Sequence, residues 1–310
     1  MNPTPRDLHI DQALSNVSIK KKNASFVGEK LFTPLMVNKD SNLYFKYGKQ
    51  DFRLFNTIRS AGSRAKQVEW IVEKSDPYFT KEHSLEMQLV DEVRDNADDP
   101  IKYDADSVEI LTNMLMLDLE KNLADIAQNS GNYDPAHTED LSGDNRWDDF
   151  IHSNPLSKIR EMKEAIRSKI FQYPNTMIVA SNVHTKLIDH PVIVDRIKYT
   201  QLGITTEQLL AKLFEIDNYL VAGGGYISSA EGQAEVQANI WDKTVILAYV
   251  NPSAGIKQIT FAYLFRRNGY RMVERWRDDP LRSDWVRVSD KYDYHIISNV
   301  AGYRLGTVIS

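Results

Sequence analysis

The chain has 310 residues, 42% of them hydrophobic and 26% charged, with a formal net charge of −5 and no cysteine. That length can hold one large domain or two modest ones, and the balance is that of a globular chain rather than a disordered one. The missing cysteines exclude disulfides, thiolate metal sites and cysteine nucleophiles. The acidic balance argues against wrapping nucleic acid by the whole surface, and no apolar run reaches the roughly 20 residues that span a bilayer.

The start, Met1–Gln12, has no basic stretch followed by an apolar block, so no secretory signal is expected. Residues 1–33 read as a polar arm. Leu8, Ile10 and Leu14 are irregularly spaced, which suits docking on another surface rather than an amphipathic helix, and Lys20–Lys22 read as a solvated turn. Two strand-like runs follow, the aromatic Asn42–Tyr47 and the alternating Val68, Trp70 and Val72. The segment between them carries Gly48, Arg53, Arg59, Gly62, Arg64 and Lys66, and it is too long for a tight turn and too polar for a core. A two-stranded ribbon is marginal in water by itself, so this one is expected to rest on a neighbouring chain.

The strongest helix is expected over about 107–128, with Asp106 as cap and Glu109 at capping-box spacing. Val108, Leu111, Leu115, Leu119 and Leu123 form its stripe, widened by Ile110, Met114 and Leu117. A loop rich in Asp, Asn, Gly and Ser spans 131–153. Asn154-Pro155 then starts a second helix, with Ile159, Met162, Ile166 and Ile170 inward. An α/β alternation follows: a buried strand at Thr176–Ala180, a short helix from Ser181 stopped before Pro191, and a helix capped by Thr205 or Thr206 and running to Phe214. Next come a strand at Tyr219–Ala222 running into Gly223–Gly225, and one strand or a pair over Trp241–Val250. The tail reads as strands at Ile259–Phe265, Tyr270–Trp276, Trp285–Val288 and Tyr292–Asn299.

No chemistry-bearing constellation stands out. The histidines include no His-Glu-x-x-His pair, and no serine sits in a Gly-x-Ser-x-Gly elbow. Gly223–Gly225 lacks both dinucleotide and P-loop spacing, so it reads as a turn needing positive φ and close backbone approach. Asp148-Asp149 and Asp278-Asp279 read as solvated acids. Arg266, Arg267, Arg271, Arg275, Arg277 and Arg282 alternate with Glu274, Asp278, Asp279 and Asp284, as in a salt-bridged interface or a solvated sheet face. No catalytic residue, cofactor site or metal site is expected.

Taken in order, several stretches resemble the major capsid proteins of tailed bacteriophages with the Hong Kong 97-type fold. They are Pro5–Ile19, Asp91-Glu-Val-Arg-Asp-Asn-Ala97, Asn154-Pro-Leu156, Tyr173-Pro-Asn-Thr176, His190-Pro191, Asp195-Arg-Ile-Lys-Tyr199 and Val273-Glu-Arg-Trp-Arg-Asp278. The resemblance implies an α+β fold in four parts: an N-terminal arm over 1–33; an extended β-hairpin loop over 34–85; a peripheral domain over 86–150 plus about 261–290, with a spine helix at 104–128; and an axial α/β domain over 151–260 plus about 291–310. It further implies a non-enzymatic virion protein assembled in the host bacterial cytoplasm. This protein would form homo-pentamers and homo-hexamers of an icosahedral head around double-stranded DNA, without sequence specificity and without a membrane.

Expected partners are a separate scaffolding protein, since the arm begins almost at Met1, a portal and a decoration protein. Expected inter-subunit residues are Leu8, Ile10 and Leu14 in the arm, and Tyr44, Phe45, Arg53, Arg59, Arg64 and Trp70 in the loop. Lys46, Lys49 and Lys66 lie where part of the family cross-links, and no cross-link is expected here. The alternatives are an encapsulin-like cellular compartment shell, a minor virion component, and an α/β hydrolytic enzyme using Gly223–Gly225 and His184.

Overall fold

The computed structural model describes residues 9–10, 26–46, 54, 57–65, 67, 73–95, 103–198, 206–230, 232–253, 255 and 259–310. The chain begins with β1 (His9–Ile10), then α1 (Gly28–Leu31), which feeds directly into β2 (Phe32–Val37). β3 (Ser41–Lys46) and β4 (Glu73–Phe79) pair antiparallel as a ribbon, with a register shift between Leu43 and Phe45. The second ribbon strand therefore sits at 73–79, and the Val68–Val72 run lies outside the described residues. β5 (Lys81–Val90), α2 (Asp91–Asp95) and the long α3 (Tyr103–Gln128) follow. After β6 (Thr138–Asp140) come α4 (Pro155–Ile170), β7 (Thr176–Ala180), α5 (Ser181–Asp189), α6 (Pro191–Ile197), α7 (Glu207–Phe214) and β8 (Asn218–Ala222). The remainder is strand: β9 (Gly225–Ile227), β10 (Gln237–Asn239), β11 (Val245–Ala248), β12 (Ala262–Arg267), β13 (Met272–Asp278), β14 (Ser283–Ile296) and β15 (Gly302–Gly306).

Two sheets organise these elements. The first is built on β14. One flank of β14 pairs with β5, placing Ser283–Tyr292 opposite Val90–Lys81. The other flank pairs first with β13 and then with β12, so Tyr292 faces both Lys81 and Arg266. Outside these strands, β2 runs parallel to β12, and β1 pairs with β13. β2 and β5, the two ends of the 34–85 segment, thus belong to this sheet, and the ribbon springs from between them. The second sheet has the order β6-β15-β11-β7-β8, with β7 and β8 parallel across the α5–α7 crossover.

α3 lies against both sheets. Its first half packs Val108 and Leu111 on Leu89, Val273, Val286 and Val288. Its second half packs Leu119, Leu123, Ala124 and Ala127 into the large core that also holds β7, β11 and α4. At 26 residues it is about 39 Å long. It starts four residues before the expected point, because Asp104 and Asp106 suit the positive end of the helix dipole. Ser107 bonds back to the Tyr103 carbonyl at 2.6 Å instead of lying at the start. The stripe is also narrower than expected: Ile110 and Met114 are about half exposed, at 45% and 52%.

The chain end is built into the core. Val308 donates its N–H to the Lys243 carbonyl and accepts from Trp147 N–H, and Val308 and Ile309 are buried. Removing residues 308–310 therefore withdraws two buried aliphatic side chains, each contributing about 1.5–3 kcal/mol. A lower thermal unfolding midpoint is expected, and an unchanged midpoint would contradict this packing.

Candidate functional site

The ribbon root is the first place where the chain builds something other than core. At its base Asp40 and Thr80 are cross-tied, with Thr80 N–H donating to the Asp40 carbonyl at 2.8 Å. Tyr78 stacks on Phe265 at 4.6 Å, and the buried Tyr44 ring lies 5.5 Å from both Phe265 and His295. Asp293 accepts from Phe79 N–H at 2.7 Å and lies 2.8 Å from His295 Nε2. Burial pushes the Asp293 carboxyl up, but His295 and the Phe79 N–H together hold it below the usual carboxylate range. Lys291 Nζ, 3.0 Å from Asp40, holds that carboxyl low as well. These contacts fix the direction in which the ribbon leaves the sheet.

Beyond the root the ribbon finds little cover among the described residues. Leu54 is 101% and Ile58 81% exposed, and Arg59 and Arg64 are exposed on either side of a turn at Gly62, which takes φ 79°. Tyr44, by contrast, is buried within its own chain. Phe45 sits in β3 opposite Lys74, and Ile10 sits in β1 opposite Glu274. Leu8, Leu14, Arg53 and Trp70 lie outside the described residues.

Within the chain, Arg266, Arg275 and Arg277 of the arginine ladder make ion pairs, while Arg282 is exposed. Asp284 takes Arg94 at 2.7 Å and Arg275 at 2.5 Å, and Arg277 reaches Asp91 at 2.6 Å. Burial pushes Asp284 up, yet these arginines bring it down to about 2. The network ties α2 to the end of the first sheet. Arg266, buried, joins Glu29 at 2.8 Å and Asp290 at 3.1 Å.

A buried acid that sequence reasoning passed over lies at the centre of the molecule. Glu120 of α3, 2% exposed, accepts from Val27 N–H at 2.9 Å, Gly28 N–H at 2.8 Å and Trp241 Nε1 at 2.7 Å. It joins the start of α1, the spine helix and the strand-entry loop before β11. Burial raises its pKa against the pull of these donors. Two turns on, Gln128 accepts from Asp242 N–H at 3.1 Å and donates to the Ile240 carbonyl at 3.0 Å. The only sequence signal was a carboxylate four residues before Ala124 on an otherwise apolar flank.

The features of the enzyme alternative have structural employment. His184 Nδ1 is 2.8 Å from the Tyr219 hydroxyl, and burial pushes the imidazole pKa down. A Cβ at Gly224 would lie 3.1 Å from Ile240 and 3.3 Å from Phe26, so close approach explains that glycine. The positive φ expected at Gly223–Gly225 is not found, since Gly225 opens an extended strand. The cavity beside Gly225 is lined by Tyr226, Ile227, Gln237, Ala238 and Asn239, none of them an acid or base suited to hydrolysis. Among the described residues, Asp144, Asp149 and His152 bring their ligand atoms within 4.8 Å. Asp149 is already committed to its own turn: it accepts from Ile151 and His152 N–H and faces His152 Nδ1 at 2.9 Å, which sets it at about 2. Among the described residues, no helix is long and apolar enough to cross a membrane.

His190 is fully buried and caps α6. Its Nδ1 accepts from Val192 N–H at 3.3 Å, and its Nε2 faces Ser153 Oγ at 3.0 Å. Burial lowers its pKa, as it does that of His137. A depressed histidine contributes stability that is full above the unfolded value of about 6.5 and is lost as pH falls below it, because the unfolded chain then binds more protons. The unfolding midpoint is expected to drop between pH 7 and 5, with a shallower drop in His190→Gln. A flat wild-type profile would contradict this.

No family model matches the chain. It is 29% identical over 304 residues to the major capsid protein of Burkholderia phage BcepMu, covering 96% of both chains. A phage-related protein from Bordetella bronchiseptica RB50 shares its fold with a TM-score of 0.79 and 26% identity, covering 96% of this chain and 97% of that one. The capsid structure of cyanophage P-SCSP1u superposes with a TM-score of 0.61 at 10% identity, over 93% and 89% of the two chains, a likeness of fold alone. Along nearly its whole length the chain is similar to a phage major capsid protein, and its framework of spine helix, ribbon and two sheets has the Hong Kong 97-type fold of phage capsid proteins.

Proposed function

We propose that this chain is the repeating subunit of an icosahedral phage head, arranged as homo-pentamers and homo-hexamers around double-stranded DNA. The observation that carries this reading is the ribbon: a root fixed by its own sheet and a far part with exposed Leu54, Ile58, Arg59 and Arg64. A surface that binds its complement on the next copy, with a rotation that closes, builds a shell. In this reading β14, its partner strands and α3 serve as the peripheral domain, the second sheet and its helices as the axial domain, and the arm and ribbon as cross-chain ties. Leu8, Ile10 and Leu14 pin the arm, while Phe45, Arg53, Arg59, Arg64 and Trp70 contact the neighbour. Tyr44 acts at the root. The subunit works by packing and catalyses nothing. A separate scaffolding protein, a portal and a decoration protein complete the particle, which assembles in the host cytoplasm.

Sedimentation of the purified chain tests this. A fast boundary of closed particles, with little free 35.6 kDa subunit, is expected. A single slow species at every concentration, also in the presence of a co-expressed scaffold, would overturn it.

A further inference from the structure

Between α3 and the first sheet lies a small pocket that the assembly reading does not use. Thr112 and Leu119 border it on the helix side, and Arg266, Arg271, Asp290 and Tyr292 on the sheet side. Strand alternation puts Val286, Val288, Asp290 and Tyr292 on one face of β14, and the first two pack on α3. Asp290 and Tyr292 therefore continue that face into the pocket.

The wall of the pocket is mostly apolar, but a few buried polar groups reach it. Tyr292, 3% exposed, has a hydroxyl with no hydrogen-bond partner among the described residues. Arg266 Nε is 3.1 Å from Asp290 Oδ2, close enough for an ion pair but not aligned as a hydrogen bond. Thr112 on the helix side donates its hydroxyl proton to the Val108 carbonyl at 2.7 Å. Buried groups left in this way cost about 1–3 kcal/mol each unless something else bonds them.

Size decides what that is. The space open to the centre of a water molecule is about 10 Å³, and a single water needs about 10–15 Å³ together with two to four polar partners. Charge agrees. Two guanidiniums, Arg266 and Arg271, are set against Asp290 and Glu29, so no net positive charge is left to recruit an anion. We infer that this pocket binds one structural water, which accepts from Tyr292 OH and Arg266 Nε and donates to the Asp290 carboxylate. The water completes the polar seam between β12 and β14 beneath the middle of the spine helix.

A map of the full-length chain, alone or in particles, at a resolution that shows ordered solvent tests the site. A single peak within about 2.7–3.2 Å of both Tyr292 OH and Arg266 Nε is expected. The same peak should weaken or vanish in Tyr292→Phe, a variant that keeps the ring and its stacking on His83. An ordered tyrosine with no peak beside it would overturn the inference, as would a Tyr292 hydroxyl bonded directly to a protein group. A peak with a halide's anomalous signal after a bromide soak would also overturn it, by making the site an anion site.

Discussion

Deletion of residues 48–64 is expected to leave a folded subunit that builds no stable shell. The root cluster of Tyr44, Tyr78, Phe265 and His295 lies outside the deletion, as do all three buried hydrophobic clusters. The unfolding midpoint should thus stay near that of the full chain. What disappears is the far part of the ribbon, which includes exposed Ile58, Arg59 and Arg64. By sequence, residues 46–67 carry six basic side chains and one acid, Asp51. A specific interface needs about 1,000 Å² of buried surface, and removing the protruding element takes it from every contact the ribbon makes at once. Electron microscopy and sedimentation of the deletion variant read the result. Particles like those of the full chain would remove the ribbon from the account.

The second large effect is expected at the spine junction. Glu120→Ala leaves Val27 N–H, Gly28 N–H and the Trp241 indole N–H without their acceptor in a buried setting. At about 1–3 kcal/mol per orphaned donor the loss is roughly 3 kcal/mol or more, a large share of the 5–15 kcal/mol typical of a folded domain. Glu120→Gln, which keeps an acceptor oxygen, should fall between the variant and the full chain. Gly28→Ala attacks the same junction from the other side, because its Cβ would lie 2.7 Å from Glu120 Oε2. Thermal unfolding of the soluble subunits compares the three. An alanine variant that melts like the parent would mean that the junction carries no weight.

Local signals were legible where one residue type settles the geometry. Asn154 and Pro155 announced α4, and Asn154 Oδ1 does accept from Ser157 N–H at 3.0 Å. Thr206 likewise caps α7. The aromatic run at 42–47 announced β3. Signals failed where a partner far along the chain decides. α5 does stop before Pro191, but the sequence did not show that Pro191 also opens α6, for which His190 supplies the cap. β5, with the sequence Lys-Glu-His-Ser-Leu-Glu-Met-Gln-Leu-Val, is too polar to read as a strand; it lies at the edge of the first sheet, held to β14 by a continuous ladder in which Glu86 stands opposite Arg287. The two tail strands near 285–288 and 292–299 are a single β14, since Asp290 and Lys291 find Arg266 and Asp40 and need not break the strand. β15, flanked by glycines, was invisible until β11 and β6 gave it neighbours. The candidate interface was legible as an unsupported ribbon. Its limits were not, because Tyr44 belongs to the chain's own aromatic cluster and Arg275 and Arg277 are also paired within the chain.

A cryo-electron microscopy reconstruction of the particles formed by the purified chain addresses the central claim most directly, since it places the ribbon relative to its neighbours. The account predicts rings of five and six subunits in which the segment between β3 and β4 lies across an adjoining copy, with Leu54 and Ile58 covered there. A ribbon folded back on its own subunit, or a preparation that holds no closed shells, would contradict it.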